Sequence, residues 1–113
     1  MTLEEAIDKL IQLSKDMMAA ERPMLWLVLH AIEFGQCAQV IVNFVIEKIT
    51  GNDKVMALPE ATEAKACELY GLLCEASGTD KVASAKPGMV PWILIAELVF
   101  SLLKRIWENR QEQ

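Results

Sequence analysis

Four stretches of the chain carry apolar residues at helical spacing, and Pro or Gly signals separate them. In the first, Leu3, Ile7, Leu10, Ile11, Met17 and Met18 recur on one face, with Glu4, Asp8, Lys9, Lys15 and Asp16 mostly opposite. Thr2 and Glu5 have the spacing of a capping box, in which each side chain satisfies the other's free backbone N–H. This pattern predicts a helix over about residues 3–21, ended by "ERP" because the residue before Pro23 is pushed out of the α region.

The second pattern runs from Pro23, well suited to a first helical turn, to Ile49. "TGND" stops it, with Gly51 suited to a left-handed terminal position. Read as one helix, 23–49 reaches roughly 39 Å, longer than the roughly 27–30 Å of its neighbours. A third helix is predicted over 59–77, ending at Gly78, and a fourth over 91–110. The longest break is "GTDKVASAKPGMVP", residues 78–91, with a short helical turn expected near Lys81 to Ala85. No stretch alternates with period two, so no strand is expected. The prediction is a single all-α domain over 1–113, a four-helix antiparallel bundle with helices at about 3–21, 23–49, 59–77 and 91–110.

Two of these helices have unusually little polar surface. On the second, Glu33, Gln36, Asn43 and Glu47 line one face, with Gln39 beside them. On the fourth, Glu97, Ser101, Lys104, Arg105 and Glu108 form one stripe on an otherwise apolar cylinder. Counting glycine and omitting tyrosine, roughly 57% of residues are apolar, against about 45–50% in an average soluble domain. A chain of 113 residues cannot easily hide that excess by itself.

A membrane span is disfavoured. "MLWLVLHAIEFGQCAQVIVNFVIEK" is long enough, but Glu33 near its middle costs roughly 2.5–3.5 kcal/mol on insertion. The fourth helix, bracketed by Trp92 and Trp107 and flanked by Lys104 and Arg105, resembles helices that lie on membranes. Core helices share that look, and a net charge of −5 weakens attraction to anionic lipid. The same charge, from 11 basic and 16 acidic residues, argues against nucleic acid as a partner.

The N-terminus "MTLEEAIDKL" has neither the basic nor the apolar region of a secretory signal. Cys37, Cys67 and Cys74 are odd in number, which suits reduced thiols and a cytoplasmic location.

Little in the sequence carries chemistry. His30, Glu33 and Cys37 share one helix face, and each could ligate a metal. A di-iron bundle needs Glu-x-x-His on two helices, whereas this chain has one histidine and the reverse order. No C-x-x-C, P-loop, nucleophile elbow or dinucleotide fingerprint is present. Neither an enzyme activity nor a metal or other cofactor is therefore expected.

The expectation is a small binding protein. Its first partner is itself, as a homodimer or higher oligomer, with Trp92, Phe100 and Trp107 as candidate interface anchors. A larger protein could dock on the acidic third helix. Two alternatives are an apolar ligand pocket with His30, Glu33 or Tyr70 as polar anchors, and membrane contact through 91–110.

Overall fold

A computed structural model describes residues 1–51, 58–78 and 91–111, with side chains to Asn109. The turn expected at 81–85 lies outside the described residues. Among the described residues five helices form: α1 (Leu3–Ala19), α2 (Pro23–Leu29), α3 (Ala31–Ile49), α4 (Glu60–Ser77) and α5 (Trp92–Gln111). Among the described residues there is no strand.

The termini follow the expected chemistry. Thr2 Oγ1 accepts from the Glu5 backbone N–H at 3.2 Å. The Glu5 carboxylate turns back to accept from the Thr2 hydroxyl, not from its backbone N–H. Gly51 and Gly78 end α3 and α4 at φ +69°, where any other residue would be strained.

The helix expected over 23–49 is two helices. They meet at His30 with an axial bend of 80°. The physical reason is the bundle's length. A straight rod would carry the apolar turns Met24 to Leu29 past the ends of its neighbours. Bent, α2 lies across one end and contacts α1 and α5, which buries Leu27 and half-buries Met24, Trp26 and Val28. The chain itself thus covers part of the extra turns, while Leu25 and Leu29 stay exposed.

The other four helices form a ring in the order α1, α3, α5, α4, and the backbones of the diagonal pairs are not adjacent. The ring is not antiparallel throughout. Glu4 meets Thr62, Asp8 meets Lys65 and Lys15 meets Glu68, so α1 and α4 run the same way. Arg105, near the end of α5, donates to the carbonyl of Ser77, the last residue of α4, so these two are also parallel. Phe44, near the end of α3, packs edge-on against Trp92 at the start of α5, ring centroids 4.8 Å apart. Thus α3 alone runs against the other three.

The core is a single cluster along the ring's axis. Ile7, Leu10, Ile41, Leu69, Leu73, Ile95 and Val99 are fully buried in it. Each full burial of such an aliphatic side chain contributes about 1.5–3 kcal/mol. Ser14 is buried among them on α1, and its hydroxyl has no hydrogen-bond partner among the described residues.

Candidate interaction surface

The ring leaves the outer side of α5 uncovered, and that side mixes charged residues with large apolar ones. Ile93, Phe100 and Trp107 are 57%, 55% and 63% exposed. They stand seven residues apart, so they line one ridge along the helix. Glu97 and Lys104, both exposed, alternate with them. The core side of the same helix holds Trp92, Ile95, Val99, Leu102 and Ile106. α5 therefore presents large apolar side chains outward as well as to the core.

Of the three anchors expected from sequence, Phe100 and Trp107 lie on this ridge. Trp92 does not: it is buried at the core's edge against Phe44. Ile93 takes its place in the row. A count of seven back from Phe100 would have found it.

A second exposed apolar group sits at the corner between α2 and α3, where Leu29 and Ile32 are 73% and 79% exposed. At the opposite end, Val45, Lys48, Ile49, Pro91, Trp92, Ile93 and Leu94 line an open cleft of about 300 Å³. Among the described residues Lys48 is the only charged one in it, its ammonium 5.9 Å from the centre of the Phe44 ring.

The expected polar anchors are elsewhere. His30 forms the corner, Glu33 is exposed on the first turn of α3, and Tyr70 is buried on the inner side of α4. The structure does not bring these three together at the cleft. His30, Glu33 and Cys37 do not converge either. Glu33 points to solvent, Cys37 is buried, and one ring nitrogen of His30 is bonded to the Trp26 carbonyl. Among the described residues, no three His, Cys, Asp or Glu side chains are placed to share an ion.

All three cysteines are free thiols. Burial pushes the Cys37 thiol up; Lys9 pulls it back in part, and Glu33 adds to the rise. Burial, then Glu63, pushes Cys67 up as well. Both stay protonated near neutral pH, which leaves them poor nucleophiles.

The acidic face of α4 is partly engaged by basic residues of α1, since Lys15 pairs with Glu68 at 3.3 Å. Glu60 and Glu75 remain exposed. No single described helix is long and apolar enough to cross a membrane; α2 and α3 together have the length and composition but are bent by 80°. No family model, no curated protein and no solved structure matches the chain.

Proposed function

We propose that this chain works by binding, and that its first partner is a second copy of itself. The observation that carries the reading is the ridge Ile93–Phe100–Trp107, three large apolar side chains more than half exposed in one row. Aromatic side chains of this kind dominate interface energies, and leaving them in water favours association. A two-fold dimer is the commonest closed assembly. Light scattering on the wild type and on Trp107→Ala tests it. The wild type should exceed the mass of one chain, and the variant, folded and equally helical, should fall toward it.

The cleft supports a second reading, a small-molecule site. Among the described residues its walls are apolar and its one charge is the Lys48 ammonium, so an aliphatic carboxylate is the chemistry it would take. The first turn of α5 contributes no acidic side chain to oppose such a ligand. Saturable NMR shifts at Ile49, Trp92 and Ile93 on adding octanoate would favour it. Octylammonium binding as well or better would count against it.

A further inference from the structure

The exposed row on α5 has a charge pattern that discriminates between the ways two copies could meet. Read in order, the ridge is Ile93, Glu97, Phe100, Lys104, Trp107, at steps of four, three, four and three. Apolar residues occupy both ends and the centre. A negative charge lies on one side of the centre and a positive charge on the other.

Two such rows can pack side by side in two senses. If they run parallel, Glu97 meets Glu97 of the second copy, and Lys104 meets its own twin. Like charges set opposite each other across an interface are unfavourable. If they run antiparallel about Phe100, the pattern complements itself. Phe100 then meets Phe100 of the second copy, and Ile93 meets Trp107 of the second copy. Glu97 falls one residue from Lys104 of the second copy, an axial offset of about 1.5 Å that both side chains can span. A two-fold axis perpendicular to α5 makes that contact twice.

The charges are available for it. Glu97 has no ion-pair partner among the described residues. Lys104 meets only Glu108 on its own helix, at 4.0 Å with both side chains mostly exposed. That exposed pair holds Lys104 weakly. The aromatic members suit the same geometry, because two Phe100 rings meeting at the axis can offset or tilt edge to face.

We infer that two copies pair through antiparallel α5 helices crossing at Phe100, with Glu97 of each copy bonded to Lys104 of the other. This rests on the self-association reading and adds its sense and register.

The test is a charge exchange followed by mixing. Glu97→Lys makes both ridge charges positive, and Lys104→Glu makes both negative. Both positions are exposed, so each variant keeps the fold, which circular dichroism checks. Sedimentation equilibrium should show each variant self-associating more weakly than the wild type, by roughly fivefold or more in dissociation constant. An equal mixture of the two should form a heterodimer tighter than either homodimer, because each copy then supplies the charge the other lacks. The double variant, with the charges exchanged, should recover most of the wild-type affinity. Two results overturn the proposal while leaving self-association intact: single variants that dimerise like the wild type, or a mixture no tighter than its components. A wild type that never exceeds the mass of one chain overturns the proposal and the reading beneath it together.

Discussion

The imidazole of His30 lies flat against the indole of Trp26, ring centroids 3.9 Å apart and planes within 16° of parallel. Its Nδ1 is 2.8 Å from the Trp26 carbonyl oxygen, which can only accept, so Nδ1 carries the proton. The backbone N–H of His30 reaches the same carbonyl at 3.1 Å and that of Leu27 at 3.1 Å. Its own carbonyl accepts from Phe34 in the first turn of α3. One residue thus closes the last turn of α2 and opens α3, at φ −110° and ψ 21°. The chain's single histidine is a hinge pin.

Removing that side chain should loosen the corner without unfolding the bundle. His30→Ala loses one hydrogen bond and one stacked ring pair, a cost of about 1–2 kcal/mol at this half-buried site. The melting temperature should drop, and amide exchange should speed up in α2 more than in α4. Uniform exchange through all helices would show that the corner is held by other contacts.

Ser14 predicts a change in the opposite direction. Its hydroxyl is buried on the core face of α1 with no partner among the described residues. Ser14→Ala removes an unsatisfied polar group and raises helix propensity, so stability should rise by about 1 kcal/mol or more. A lower denaturation midpoint would mean that the hydroxyl is bonded in solution.

The thiols predict a dependence on alkaline pH. Cys37 and Cys67 hold their protons more tightly folded than unfolded. Their sites are therefore neutral to stability below the unfolded thiol value, about 8.5, and favour unfolding as pH rises from there toward the folded values. Chemical denaturation under reducing conditions at about pH 7 and about pH 9.5 measures this. The wild type should lose more stability over that interval than Cys37→Ala does. Equal losses would assign the alkaline effect to other groups. Thiol reagents at neutral pH should reach half-buried Cys67 before Cys37 or Cys74.

Much of this fold was legible in the chain, because helix ends and helix faces are written locally. Thr2, Gly51 and Gly78 mark termini through their own backbone chemistry. The wet stripe Glu33, Gln36, Gln39, Asn43 and Glu47 is exposed in full. The break at His30 was not legible, since no Pro or Gly signals it. It follows from where the bundle ends, which is a tertiary fact. The parallel pairing of α4 and α5 was hidden for a related reason: a connection as long as 78–91 can deliver the next helix at either end. On α5, a step of seven back from Phe100 leads to Ile93, but the spacing does not say which row of large apolar residues faces the core, and Trp92 proves to be on the buried one.

In the proposed assembly another chain covers α5. Sedimentation equilibrium of the wild type across a roughly hundredfold range of concentration, without ligand or detergent, measures that directly. The apparent mass should climb from the 12.6 kDa of one chain toward twice that value as concentration rises. Replacing Phe100 by Ala should move the climb to higher concentration while leaving helix content unchanged. A mass fixed at 12.6 kDa over the whole range would show that the chain does not self-associate.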